Sequence, residues 1–277
     1  MFLCTVGEVV HKLPEGEPVR GVTTLADEVY VLRSKDRDQV EVYEVINYRL
    51  QRRLTVPNSR RFTDMTSCEH YRCVYVANRN GECIHRLDVQ GAVTQWPVND
   101  VPEGISVNAA HNVLVTCGKV RKIKEFRTHG DLLRVLRLPD DVGNPWHALQ
   151  MRNGQFIVCH GRSCDAVHRV CKISADGGDV IQSHGGQPGS SSGHYNLPFH
   201  LAVDNNERVL VADTNNQRVK LLSASPLDYR SHVVSRDDLK WRPDRLCLDI
   251  HRRRLYVTDN ECKDDRHAAG RVVVFSI

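Results

Sequence analysis

Two arginines and two histidines occupy one recurring place in this sequence. Arg20, His147, His200 and Arg245 each stand two residues after a proline (Pro18, Pro145, Pro198 and Pro243) that opens a short run of alternating character. Basic side chains gathered at one point favour an anion such as phosphate or carboxylate, and arginine offers a planar fork that suits either. Two imidazoles could instead ligate a metal. The remaining equivalent places read Thr63 and Gly104, which adds no third histidine or carboxylate. A third reading is that the four side chains fill a cavity mouth and bond to water and nearby loops.

A second set is basic and dispersed. Arg79, Lys119, Arg121, Lys122 and Arg162 fall in polar loops, where they could contact the phosphates of single-stranded RNA or the acidic groups of a protein partner. The overall balance is mild, 38 basic against 34 acidic residues for a net charge of +4. Nucleic-acid binding needs a concentrated basic footprint. Once the loops of one face are added together, acidic residues match the basic ones, so a local patch survives and no DNA partner is expected. Arg252, Arg253 and Arg254 fall in a tight turn on the other face and read as solubilising.

Catalytic signatures are absent from the sequence. There is no G-x-S-x-G, Walker A or G-x-G-x-x-G pattern. The glycine-rich run from Gly185 to Gly193 precedes no helix, so it reads as a long flexible connection and not as a phosphate loop. None of the ten cysteines forms a C-x-x-C pair. The densest group, Cys159, His160, Cys164, His168 and Cys171, matches no zinc spacing, and strand alternation puts Cys159 and His160 on opposite faces. No metal or cofactor is expected. No apolar run approaches the ~18 residues of a membrane span, and the first residues lack the pattern of a signal peptide. The expectation is a cytoplasmic chain with free, buried thiols.

The elements that must position these residues come from a repeat. A β-type triplet recurs and ends at Val31, Val76, Val115, Val158, Val211 and Val257, with 39 to 53 residues between successive copies. Each copy sits among short alternating segments separated by Gly, Asn and Asp turns, which is the pattern of antiparallel sheet. A spacing of about 45 residues is that of propeller blades. Four strands per unit, repeated six times, fill residues 1–277 as a single all-β domain, a six-bladed β-propeller. The last unit stops after a third strand, Arg271–Phe275, while residues 5–13 form an orphan strand near the start. That strand is expected to complete the last blade and close the ring.

The fifth unit resembles an NHL repeat. It carries Pro198 followed by Leu201-Ala202-Val203-Asp204, then Asp213-Thr-Asn-Asn-Gln-Arg218-Val219. The sixth keeps Arg242-Pro243-Asp244 and Tyr256-Val-Thr-Asp259-Asn260, while the first four are degenerate, with Asn78, Cys117 and His160 near the place of the aspartate. The resemblance implies a relation to the C-terminal propellers of tripartite-motif (TRIM) ubiquitin ligases and to RNA-binding repressors. No RING or B-box accompanies it here. It also implies an enzymatic alternative, a metal-dependent lyase or lactonase working at the channel mouth. The expectation is a monomeric, non-catalytic recognition module for a protein segment or single-stranded RNA.

Overall fold

The computed structural model describes residues 7–33, 39–57, 61–162, 164–261 and 268–277. These form six sheets of four antiparallel strands arranged in a ring. Blade 1 runs β2 (Val19–Leu25), β3 (Glu28–Arg33), β4 (Gln39–Glu44) and β5 (Leu50–Thr55) from the axis outward. Blade 2 holds β6 (Phe62–Cys68), β7 (Cys73–Asn78), β8 (Cys83–Asp88) and β9 (Val93–Pro97), and blade 3 holds β10 (Gly104–Val107), β11 (Val113–Cys117), β12 (Lys122–Phe126) and β13 (Leu132–Arg137). Blade 4 comprises β14 (Pro145–Gln150), β15 (Phe156–His160), β16 (His168–Ile173) and β17 (Val180–Gly186). Blade 5 comprises β18 (Pro198–Val203), β19 (Val209–Asp213), β20 (Arg218–Ala224) and β21 (Leu227–Val234). Blade 6 is built from β22 (Arg242–Asp249), β23 (Arg254–Asn260), β24 (Gly270–Ser276) and, from the other end of the chain, β1 (Glu8–Lys12).

The recurring triplets are the second strands, and they are buried because neighbouring blades cover both of their faces. Val31, Val76, Val115, Val158, Val211 and Val257 are all inaccessible to solvent. The apolar core is divided between the blades. Tyr75, Trp96 and Phe126 pack together between blades 2 and 3, and Leu136, Phe156 and Ile173 between blades 3 and 4.

Closure takes the expected form. β1 pairs antiparallel with β24, from Glu8 opposite Ser276 to Lys12 opposite Val273, and residues 5 and 6 of the expected strand lie outside the described residues. Leu13 extends the seam with an N–H bond to Val272 O (2.9 Å) and is itself buried. Asn260 then clamps blade 6 to blade 1: Oδ1 accepts from Val19 N (2.9 Å) and Nδ2 donates to Val19 O (2.8 Å). Gly270 is required here, since a Cβ would lie 2.2 Å from Asn260 Oδ1 and 2.9 Å from the Pro18 backbone. Sealing the ring in this way removes the exposed flanks that an open array would present.

The NHL-type aspartate is a stitch between second and third strands. In blade 5, Asp213 receives Arg218 Nε (2.7 Å), and in blade 6, Asp259 receives Arg271 Nε (2.9 Å). Three of the four degenerate blades keep the stitch with other chemistry. Blade 1 reverses the charges, Arg33 to Glu41 (2.6 Å), blade 4 uses His160 and Arg169 (2.9 Å), and blade 2 uses Asn78 and His85 (3.2 Å). The glycine-rich connection departs from the flexible loop expected of it. Lys220, fully buried, donates to the carbonyls of Ser191 (3.3 Å), Ser192 (2.9 Å) and His194, and lies 4.2 Å from the centre of the Tyr195 ring. Burial pushes its pKa down to about 8. Those bonds pin the segment to blade 5.

Candidate functional site

The innermost strands start with a shift of register. Between Val19 and Gly21, Phe62 and Asp64, Pro145 and His147, and Pro198 and His200, one residue is bulged out of the pairing with the second strand. This bulge fixes which residues are equivalent around the axis. They are Gly21, Asp64, Gly104, His147, His200 and Arg245, so blades 1 and 2 start one residue later than a proline-based alignment implies. Arg20 and Thr63 are bulge residues. Arg20 is exposed on the surface, apart from the buried trio of His147, His200 and Arg245. In its place stands Gly21, where a Cβ would come within 2.6 Å of Met65.

Asp64, absent from the sequence-based set, is the centre of the site. Its Oδ1 lies 3.0 Å from Arg245 Nε and accepts from Met65 N (2.9 Å). Its Oδ2 accepts from Ile105 N (2.9 Å) and faces His200 Nε2 at 3.5 Å and His147 Nε2 at 3.9 Å. The two imidazoles stack with centroids 3.8 Å apart and planes 26° from parallel. Arg245 also donates to the carbonyls of Asp244 (3.1 Å) and Thr63, and its guanidinium sits 4.4 Å from the centre of the Phe199 ring. Five of the six blades thus meet on one carboxylate. Burial alone would raise the Asp64 pKa, but the Arg245 guanidinium together with the facing His200 and His147 outweighs it and holds the carboxyl below the usual range. Burial pushes His147 down to about 3 and lowers His200 as well, so both rings are neutral at pH 7.

This arrangement corrects the anion-site expectation. One carboxylate, one guanidinium and two neutral imidazoles sum to zero charge, and the guanidinium already has its anion. Metal ligation was an alternative reading of the two histidines. Asp64, His147 and His200 do offer three donor atoms within 4.8 Å of one another. The rings are wrongly placed for it. His147 Nε2 faces the Ile105 carbonyl (3.2 Å), which can only accept, so that nitrogen carries the proton. His200 Nδ1 receives Leu246 N (3.3 Å), which leaves the proton of the neutral ring on Nε2. Both nitrogens facing Asp64 therefore lack a free lone pair, and nearly parallel rings cannot direct in-plane lone pairs to one ion. As arranged, these residues do not fit a metal, and the cluster acts as a polar plug.

Beyond the plug the channel opens into a cavity of about 440 Å³, whose lining runs from the two imidazoles past Thr24, Thr66 and Cys247 to the turn residues Glu69, Asn205 and Arg252. Those turns join first to second strands, so the cavity faces away from the loops that carry the basic set. Arg252 is less solvated than a solubilising residue would be. It bridges Asp249 of its own blade (3.0 Å) and Asp27 of blade 1.

The basic set is present at the loop face, and four of its five members lie against carboxylates, some of them shared. Arg79 (2.7 Å) and Arg162 (3.3 Å) converge from blades 2 and 4 on Glu103, a buried carboxylate at the start of blade 3. Arg121 pairs with Asp140 (2.8 Å) and Lys122 lies 3.7 Å from Asp100, which also holds Lys124 (2.7 Å). Lys119 is exposed and outside these pairs. Sequence reasoning could not see this masking, because the acids are supplied by other loops. The eight described cysteines are free thiols, and burial pushes those of Cys117, Cys159 and Cys171 up to about 12.

The chain matches no protein-family profile. It is 28% identical over 108 residues to human NHL repeat-containing protein 3, a stretch that takes in 36% of this chain and 30% of that protein. Among solved structures it superposes on hydrazine synthase of Kuenenia stuttgartiensis with a TM-score of 0.65 at 12% identity, covering 89% of this chain and 93% of that one. Virginiamycin B lyase from Staphylococcus aureus gives 0.63 at 13% identity, with 96% and 88% covered. At such identities the likeness is one of fold. The chain is an NHL-like six-bladed propeller, and no described helix is long and apolar enough to cross a membrane.

Proposed function

We propose that this chain is a non-catalytic recognition module that binds a protein partner on the face formed by its second-to-third-strand loops and blade-to-blade connections, as the propellers of tripartite-motif proteins do. The observation that carries this reading is internal pairing of charge. At the axis the one carboxylate, Asp64, lies against the one guanidinium, Arg245, with His147 and His200 stacked beside them. On the loop face, four of the five expected RNA-binding cations already have carboxylate partners. A mosaic of paired charges suits a protein surface, which can exchange ion pairs residue by residue, better than a phosphate backbone, which needs concentrated positive potential.

The test is a pull-down from cell extract with and without RNase, repeated with a Lys119→Glu, Arg121→Glu variant and across a salt series. Capture that survives RNase, depends weakly on salt and is lost in the variant supports a protein partner. Capture that RNase abolishes, with a steep salt dependence, overturns it in favour of single-stranded RNA. Metal analysis of the same preparation bears on catalysis: stoichiometric zinc or iron, lost on His147→Gln, would replace this reading with that of a metal-dependent enzyme.

A further inference from the structure

The six outermost strands differ in how they meet solvent. β5 presents Gln51, Arg53 and Thr55, β9 presents Thr94, Gln95 and Pro97, and β21 presents Asp228 and Arg230. Charges and prolines of this kind are how exposed edges are kept from pairing. β13 also carries exposed charges, Arg134 and Arg137, but it exposes three aliphatic side chains, against two on β1 (Val9, Val10) and one on β17 (Ile181). Leu132, Leu133 and Val135 are 52%, 40% and 46% exposed in one six-residue strand, and its outer edge is unpaired among the described residues. Leu136 alone of this strand is buried, against blade 4.

We infer that the outer edge of β13 is a docking site for an extended, acidic peptide segment of a partner protein, added to blade 3 as a fifth strand. One end of the edge is cationic and the other is a loose ion pair. Arg127, at the hairpin that leads into β13, is mostly exposed and only 3.9 Å from the equally exposed Asp131. Arg137, at the other end, is exposed, has no ion pair among the described residues and lies cross-strand from Lys122. An added strand would satisfy the free backbone groups, cover the aliphatic side chains and set its carboxylates against the two arginines. A second copy of this chain is a poorer occupant. Antiparallel pairing of β13 with itself brings Arg137 against the Arg127 end, and parallel pairing brings Arg137 against Arg137. This edge lies outside the loop face, so the inference stands or falls independently of the function proposed above.

The probe is a fluorescent peptide of about eight residues alternating glutamate and valine, long enough to span the edge with a residue to spare at each end, with a lysine–valine peptide as its counterpart. Anisotropy should show saturable binding of the acidic peptide alone. Leu133→Ser with Val135→Ser should weaken it about tenfold or more, and Arg137→Glu by roughly threefold. Both variants should keep the parent thermal midpoint, because these side chains are exposed; if the double variant fails to fold, Arg137→Glu with Val135→Thr decides. Absence of saturable binding, equal binding of the lysine peptide, or unchanged affinity in the variants overturns the inference. So does sedimentation showing a dimer that the double variant abolishes, which would assign the edge to a second copy.

Discussion

Two buried carboxylates organise this ring, and they differ in the company they keep. Asp64 at the axis draws Arg245 from blade 6, the Ile105 amide from blade 3 and the imidazoles of blades 4 and 5. Glu103 on the rim draws Arg79 from blade 2 and Arg162 from blade 4. The acids are equally hidden, with side chains 1% and 2% exposed. Their cations are not, for Arg245 is 7% exposed while Arg79 and Arg162 are each 29% exposed. At the axis a lost acid leaves a guanidinium with nowhere to go. On the rim it leaves two arginines that can turn to water. The same device, one acid gathering bases from several blades, is therefore structural at the axis and adjustable at the rim.

The largest expected effect is at the axis. Asp64→Ala should destabilise the fold by about 3–5 kcal/mol, because it strands Arg245 and orphans two backbone amides. Urea unfolding would read this as a lower midpoint, and a loss under ~1 kcal/mol would break the comparison. Acid sharpens it next. His147, at about 3, and His160, at about 4, both lie below an unfolded value near 6.5. Each binds its proton more readily unfolded, so the stability they contribute is complete above pH ~6.5 and declines as pH falls towards those folded values. Asp64, held below its ordinary range, adds its own loss at the acid end. The urea midpoint should therefore drop between pH 7 and pH 5, and His147→Gln should flatten that slope. Equal midpoints at the two pH values would mean that the plug rings are not held neutral by the fold.

Much of this was legible in the sequence, and the failures have a physical cause. Six valine-ended triplets at blade spacing are enough to specify the ring, because a strand buried on both faces must be apolar throughout. The orphan strand at one end and the missing strand at the other fit as lock and key. His147, His200 and Arg245 were legible as a group because a proline marks the start of each of their blades. Asp64 was not, since blade 2 has Phe62 where blades 3 to 6 have proline, and the one-residue bulge is a property of strand pairing that leaves no mark in composition. Blade 1 misleads in the opposite sense: Pro18 is present but lies one residue ahead of the paired position, which promoted Arg20 over Gly21. The rim pairs were hidden for another reason. Arg162 and Glu103 are 59 residues apart and meet only because blades 3 and 4 stand side by side.

That hidden pairing makes the smallest expected effect on stability the most informative for function. Glu103→Gln keeps the shape of the side chain and removes the charge that holds Arg79 and Arg162. Both guanidiniums can then be hydrated in place, so the unfolding free energy should fall by no more than ~1 kcal/mol. The surface changes more than the fold. Two released cations join exposed Lys119 and the loosely held Lys122, and the rim gains the concentrated positive potential that it otherwise lacks. Affinity for a single-stranded oligonucleotide should rise, and the slope of log K against log salt should steepen by roughly 1.4, about 0.7 for each phosphate newly contacted. If Glu103→Gln is as damaging as Asp64→Ala, the fold depends on the rim as heavily as on the axis and the contrast between them fails. If it is benign and brings no gain in binding, the arginines find other acids among the loops. A benign variant with the steeper slope would show that RNA binding is latent on this face and that one carboxylate suppresses it.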